Sequence, residues 1–299
     1  MSLQSTQEHL VLGASGAQGS AIVRELLARG HRVTGLVRSS TSEVASDAKR
    51  VFADLGDADS LAAAFDGITH LTVTLPLVYD QATVDGYARN IATAAAAAGV
   101  QRIVFNANTR TPSGASGVAA FDTRASAEKI LRASSVPVVL VQPAVYLENL
   151  LAPASVAGMK QYGQLHYPLP AAMPVAWIAL SDLAIAVAEA HALAHVPDAP
   201  ILVGGKPVTG DELALQLSGA IGRPLSYVPL DPAAFENMLA GFLGNDAAAG
   251  VAGLYHWAKA NPESPLFGAG VPGSQDGSGA LLVSAMAPQE WSQRQPWAQ

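Results

Sequence analysis

The run VLGASGAQGSAIVREL, Val11 to Leu26, limits the fold of this chain more than any other stretch. It spaces Gly13, Gly16 and Gly19 as G-x-x-G-x-x-G. A β-like run, HLVLGA, leads into the glycines. A helical pattern follows from about Ala17 to Arg29, with Ile22, Val23, Leu26 and Leu27 on one face. Strand, glycine turn and helix in that order make an anion cradle. Gly13 permits the tight turn, Gly16 lets backbone amides approach a pyrophosphate, and Gly19 lets the helix pack on the strand. The helix N-terminus adds unpaired N–H groups and a positive dipole end. This reading gives Gly13, Ser15, Gly16, Ala17, Gln18 and Gly19 to a bound dinucleotide.

The rest of the first half repeats the rhythm. Strand patterns at RVTGLVR, RVFADL, HLTVTL, RIVFNA and VPVVLVQP alternate with helical ones at DADSLAAAF, Asp80 to Ala98, and RASAEKILRA. Asp57 is placed to cap the first of these helices, and Gly99 ends the second. Such alternation makes a parallel sheet covered on both faces, and right-handed crossovers make it doubly wound. The expected fold is α/β, a doubly wound parallel Rossmann sheet with a smaller C-terminal α/β lobe. Residues 1–150 form the cofactor-binding lobe, rejoined by about 174–204 through VAWIAL, the helix SDLAIAVAEAHALA and the strand PILVG. Residues 151–173 and 205–299 form the smaller, substrate-side lobe. The helix GDELALQLSGAIG, the strand LSYVPL and the helix DPAAFENMLAGFL fall there, and 267–280 reads as a Gly/Ser/Pro loop.

Composition excludes several functions. With net charge −7 and no basic run, the chain offers nucleic acid no clustered positive field. The absence of cysteine rules out disulfides, thiolate catalysis and cysteine zinc sites. The apolar run from Ala171 to Ala194 is broken by Ser181, Asp182, Glu189 and His191, so no membrane span is expected. The polar opening MSLQSTQE leaves no room for a signal peptide, and the expected location is cytoplasmic.

The end of the second strand chooses between the two nicotinamide dinucleotides. NAD sites carry an acid there, about 20 residues beyond the glycines, to hold the ribose hydroxyls. This chain reads Leu36, Val37, Arg38, Ser39, Ser40 and Thr41, with no acid before Glu43. An arginine flanked by hydroxyls suits a 2′-phosphate, so Arg38 and Ser39 point to NADP(H).

In order along the chain, GASGAQG, the LVR strand end, FADLGDADSLAAAFDG, AEKILRASSVPVVLVQPAVYLENL and GRPLSYVPLDPAAFENML resemble the atypical short-chain dehydrogenase/reductase superfamily in its NmrA-like branch. The resemblance covers most of the chain to about residue 240; the tail from Gly268 is less clearly matched. The branch includes quinone-oxidoreductase-like and triphenylmethane-reductase-like proteins and redox-sensing regulators. The resemblance implies NADP(H), with its nicotinamide over the carboxyl ends of the fourth to sixth strands. It puts Thr74, Leu75, Pro76, Asn106 and Pro143 beside the cofactor, and Asp54 and Leu55 beside the adenine.

Superfamily enzymes carry a proton-donating Tyr, a Lys four residues later and a Ser or Thr after the fifth strand. Here the resemblance aligns Ala120, Arg124 and Asn108 with those positions. Arg124 can hydrogen-bond a ribose or an oxyanion, but with a pKa above about 12 it cannot donate a proton at neutral pH. Simple alcohol dehydrogenation, which needs general acid–base help, is therefore disfavoured. Hydride transfer to a quinone-like or conjugated small acceptor asks less, because the product is a phenolate whose conjugate acid has a pKa near about 10. Arg124, Tyr146 and Asn108 are the candidate catalytic groups, and Tyr146 and Asn149 are placed at the acceptor. The competing expectation is a non-enzymatic NADP(H) sensor acting through a protein partner.

Two other features stay open. His191 and His195 have a metal-ligand spacing, but helix C-termini favour histidine anyway, and no metal is expected. Tyr162, His166, Tyr167, Met173 and Trp177 serve equally as a substrate wall or as packing between lobes.

Overall fold

A computed structural model describes residues 7–39, 41–268 and 285–298. Ser40 and the Gly/Ser/Pro loop from residue 269 onward lie outside the described residues.

The first half builds β1 (Glu8–Leu12), α1 (Ala17–Ala28), β2 (Arg32–Val37), β3 (Lys49–Phe52), α2 (Ala58–Ala64), β4 (His70–Thr74), α3 (Gln81–Ala97), β5 (Arg102–Asn106), α4 (Ala119–Arg132) and β6 (Val138–Pro143). After β6 come β7 (Val145–Tyr146), α5 (Pro153–Ala157), β8 (Gln164–Tyr167), β9 (Trp177–Ile178), α6 (Leu180–Ala192) and β10 (Ile201–Val203). The chain continues through α7 (Gly210–Ile221), β11 (Ser226–Pro229), α8 (Pro232–Leu243), α9 (Asn245–Ala260) and α10 (Pro288–Gln293).

Seven strands form one sheet in the order β10–β6–β5–β4–β1–β2–β3, and each neighbouring pair is parallel. The order reverses between β1 and β4. In doubly wound sheets that switch point opens a crevice at the carboxyl ends of the strands, where ligands bind. Both faces of the sheet are dry. One face packs α2, α3 and α4 through residues such as Phe65, Ile91 and Leu131; the other packs α1 and α6 through Ile22, Leu26 and Leu183. A third apolar cluster joins Leu150, Leu165, Trp177, Leu213 and Trp291 away from the sheet. Among the described residues, no helix is long and apolar enough to cross a membrane.

Capping follows local chemistry. Asp57 accepts from the N–H groups of Asp59 and Ser60, Asp80 from Thr83, and Asp231 from Ala233 ahead of Pro232. Thr209 and Glu212 form a reciprocal capping box at α7. Helix α4 begins at Ala119, earlier than the Arg124 start that periodicity suggests. Asp122 closes the turn ahead of it, accepting from Ser116 N at 2.8 Å and Gly117 N at 2.9 Å.

VAWIAL does not join the main sheet. Trp177 and Ile178 pair with Val145 and Tyr146 in a separate two-stranded ribbon. The open edge of β6 is taken by β10, with Ile201 opposite Val141, so the return to the sheet comes through PILVG. Helix α6 ends at Ala192, which leaves His195 beyond it and exposed, while His191 is buried.

Candidate active site

The glycine turn sits at the switch point. Gly13 has a φ of +71°, and a Cβ there would lie 3.4 Å from the Thr74 carbonyl oxygen at the end of β4. Gly16 N donates to Gly13 O at 3.0 Å, closing the turn. A Cβ on Gly19 would fall 2.1 Å from Gly13 O, so only glycine lets α1 start this close to the strand. Gly16 caps α1 without a side-chain bond, and no acid occupies the first turn. Ser15, Gly16 and Ala17 are exposed. The first-turn amides thus face outward with the positive end of the helix dipole. The cradle fits a pyrophosphate.

Arg38 follows β2, is exposed, and forms no ion pair among the described residues. Ser39 Oγ lies 2.8 Å from Thr41 Oγ1. An acid is again missing here, and an exposed cation beside hydroxyls fits a 2′-phosphate better than ribose hydroxyls. Asp54, beyond β3, accepts from Gly56 N at 2.8 Å and shapes the turn. Leu55 is buried there, and its carbonyl accepts from Asn90 Nδ2 at 2.9 Å.

A polar network crosses the strand ends. Asn106, fully buried at the end of β5, donates through Nδ2 to Gln18 Oε1 at 2.6 Å and to Thr74 Oγ1 at 3.4 Å. Its own Oδ1 accepts from Asn108 N at 3.1 Å. The Tyr146 hydroxyl donates to the same Gln18 oxygen at 2.9 Å. Gln18 therefore ties the first turn of α1 to β5 and β7. Burial drives the Tyr146 pKa well above the ordinary tyrosine value. Asn108 holds the left-handed backbone conformation, φ 65°, and donates to Leu75 O at 3.1 Å. Its Oδ1 is buried without a partner among the described residues, beside the cavity described below. Pro143 ends β6, buried, opposite Val203 of β10.

Arg124 is one of the largest fully buried side chains. It donates to Pro76 O at 2.6 Å and to Val78 O at 3.1 Å. Its guanidinium lies 5.2 Å from the Tyr79 ring centroid. Burial lowers the Arg124 pKa and Tyr79 partly opposes that, yet a guanidinium stays charged at neutral pH. Arg124 thus holds the loop after β4.

A cavity of about 670 Å³ opens from these strand ends. Gln18, Asn108, Ala120, Arg124, Tyr146 and Asn149 lie on the sheet side. Phe235, Met238, Leu239 and Phe242 of α8 face them, with Leu254 and Tyr255 of α9. The volume and the mix of apolar wall with a few polar groups suit a small aromatic molecule. Ala120 is buried in the wall and brings no proton. The aromatic-rich stretch divides: His166 and Tyr167 reach the cavity, Met173 and Trp177 are core, and Tyr162 is exposed.

Residues 5–264 match the NmrA-like family. This chain belongs to that family. Among NmrA-like relatives, an NAD(P)H azoreductase from Xenophilus azovorans is 31% identical over 228 residues, covering 74% of this chain and 76% of the relative. A Citrobacter sp. triphenylmethane reductase complexed with NADP(H) superposes with a TM-score of 0.75 at 20% identity, covering 96% of this chain and 99% of that one. A Staphylococcus aureus nucleoside-diphosphate-sugar epimerase gives 0.76 at 20% identity, with the same coverage of 96% and 99%. The two structural likenesses speak for the fold.

Many residues around the cavity escaped sequence reasoning, Tyr79 and Tyr255 among them. Tyr79 lies in a loop that no periodicity marks. Tyr255 lies on α9, whose sequence NDAAAGVAGLYHWAKA is half alanine and glycine, so its apolar stripe has little contrast. The signal was present: Ala248, Ala252 and Tyr255 are buried at helical spacing, with Asp246 in the first turn and Lys259 in the last.

Proposed function

We propose that this NmrA-like protein is an NADPH-dependent oxidoreductase that reduces a quinone-like or otherwise conjugated small molecule in the 670 Å³ cavity. The observation that carries this reading is one of placement. Gln18 belongs both to the glycine-rich turn and to the cavity wall, so a dinucleotide on α1 and an acceptor in the cavity would meet at the ends of β4, β5 and β6.

In this reading Gly13, Ser15, Gly16, Ala17, Gln18 and Gly19 hold the pyrophosphate, Arg38 and Ser39 the 2′-phosphate, and Asp54 and Leu55 border the adenine. Thr74 and Pro76 form the surface that borders the nicotinamide, with the buried Leu75, Asn106 and Pro143 beneath it. When bound, the reduced nicotinamide supplies a hydride. Arg124 fixes that surface by holding the carbonyls of Pro76 and Val78. Asn108 offers its buried, unpartnered Oδ1 to a donor such as a carboxamide N–H. Tyr146 and Asn149 touch the acceptor, and α8 and α9 exclude water from it. The 31%-identical azoreductase supports reductase chemistry on a conjugated acceptor.

The test is acceptor-dependent oxidation of NADPH across a panel of quinones and azo compounds. Turnover with at least one class is expected. Tight NADPH binding with no turnover on any acceptor would overturn the enzyme reading and leave a cofactor sensor.

A further inference from the structure

With Ala120 in the wall, the cavity needs another proton source whenever the reduced acceptor is a strong base. Three of the polar groups in its wall are already engaged. Tyr146 gives its proton to Gln18 at 2.9 Å. Both Glu148 carboxylate oxygens accept from Leu180 N at 3.1 Å, and one also accepts from Trp291 Nε1 at 3.1 Å. Arg124 stays charged.

A different pair is arranged otherwise. Asn149 Nδ2 donates to the Tyr167 hydroxyl oxygen at 3.0 Å, and that oxygen lies 2.7 Å from the Tyr255 hydroxyl. All three residues line the cavity. A phenol has one proton and two acceptor sites. If Tyr255 donated to Tyr167, the buried Tyr167 proton would have no acceptor among the described residues. If Tyr167 donates to Tyr255, it is the Tyr255 proton that is left for the cavity. Tyr167 is 3% exposed and already accepts from Asn149, whereas Tyr255 is 7% exposed, so the free proton costs less on Tyr255 and the second arrangement is favoured.

Burial raises both hydroxyls above the ordinary tyrosine value, Tyr255 to about 12.

We propose that the Tyr255 hydroxyl, backed by Tyr167 and Asn149, is the proton donor for acceptors whose hydride-reduced anion is a strong base. The proposal builds on the reductase reading above. An azo acceptor shows the balance. Hydride addition to one nitrogen opens the N=N π bond and leaves its electron pair on the other nitrogen. That nitrogen forms an N–H bond with the Tyr255 proton, and the O–H electrons stay on the tyrosine oxygen. The azo group is reduced to a hydrazine as the nicotinamide is oxidised, and Tyr255 regains a proton from solvent at the exposed Asn149 side. A quinone needs the donor less, since its reduced anion has a conjugate acid near about 10.

The test has a binding arm and a kinetic arm, with Tyr255→Phe, Tyr167→Phe and Tyr79→Phe compared with wild type after thermal melts establish folding. The binding arm needs no cofactor: it compares para-nitrophenolate with neutral nitrobenzene. Tyr255→Phe should lose about tenfold more affinity for the phenolate than for nitrobenzene, the scale of one charge-assisted hydrogen bond. Tyr167→Phe should lose part of that and serves alone if Tyr255→Phe does not fold. In the kinetic arm, kcat for azo reduction should fall at least about tenfold further than kcat for quinone reduction in Tyr255→Phe. Equal losses for both ligands and both acceptors would overturn the proposal and leave the pair as a pin for α9. So would a phenolate-specific loss in Tyr79→Phe instead, or a wild type that reduces quinones but no azo compound. Phenolate preference without turnover of any acceptor would retain the donor and sink the reductase reading.

Discussion

Tyr79 lies flat against Gly250: a Cβ on Gly250 would sit 1.8 Å from the ring's Cδ2. The Arg124 guanidinium lies over the same ring, 5.2 Å from the centroid. One aromatic ring therefore joins the loop after β4 to α9. Gly250→Ala must displace the ring. We expect a loss of about 1–3 kcal/mol in unfolding free energy, typical of overpacking. A double-mutant cycle by denaturant melts checks it: Tyr79→Ala should cost less in the Gly250→Ala background than alone.

Arg124 serves two main-chain carbonyls, at 2.6 Å and 3.1 Å. Arg124→Met should leave Pro76 O and Val78 O without donors and cost about 2–4 kcal/mol. Arg124→Lys should recover less than half, because an ammonium lacks the planar fork. Urea midpoints at constant slope measure both. A neutral Arg124→Met would mean that water satisfies the loop.

Four histidines gather at the amino end of the sheet. His9 lies 4.8 Å from His31, 5.1 Å from His70 and 4.8 Å from His191, centroid to centroid. His191 bonds Thr72 Oγ1 at 2.9 Å, while Nδ1 of His9 and of His191 is buried without a partner. Burial, with neighbouring His70 and His31, lowers His9 from 6.5 to about 3; burial, with Arg102 and His31, lowers His70 to about 4; His191 falls well below 6.5. Each is neutral in the folded chain and binds a proton more readily when unfolded. Stability is therefore full above pH 6.5 and falls as pH drops through the folded values of about 4 and 3. Each histidine kept neutral adds a slope of about 1.4 kcal/mol per pH unit in that window. Denaturant melts at about pH 7 and about pH 5 should differ, and His191→Leu should flatten the difference. A pH-independent midpoint would show that the cluster is already charged or open to water.

Ala120 stands in the cavity wall, 2% exposed. Ala120→Phe should fill part of the acceptor space. We expect KM for the acceptor to rise at least about tenfold with little change in KM for NADPH, because lost uniform binding appears in KM. Equal effects on both would place the acceptor elsewhere.

The legible parts of this molecule are those fixed by short-range rules. The G-x-x-G-x-x-G run and the strand–helix alternation led to the doubly wound parallel sheet, and the aspartate opening DADSLAAAF led to the cap at Asp57. What stayed hidden depends on distant partners. Arg124 reads as a ribose ligand from its position in α4, but its hydrogen bonds to Pro76 and Val78 arise only once α4 packs beside the β4 loop. Trp177 reads as sheet, yet β10 holds the edge of β6. The Tyr167–Tyr255 pair joins residues far apart in sequence, and the alanine-rich α9 hides its buried stripe.

The most direct measurement compares NADPH with NADH in steady-state reduction of one acceptor by wild type and Arg38→Ala. The account predicts acceptor-dependent turnover that prefers NADPH, with kcat/KM for NADPH falling about ten- to hundredfold in Arg38→Ala and that for NADH changing far less, as loss of a phosphate contact requires. Equal losses with both cofactors, or no NADPH oxidation above the acceptor-free rate, would contradict it.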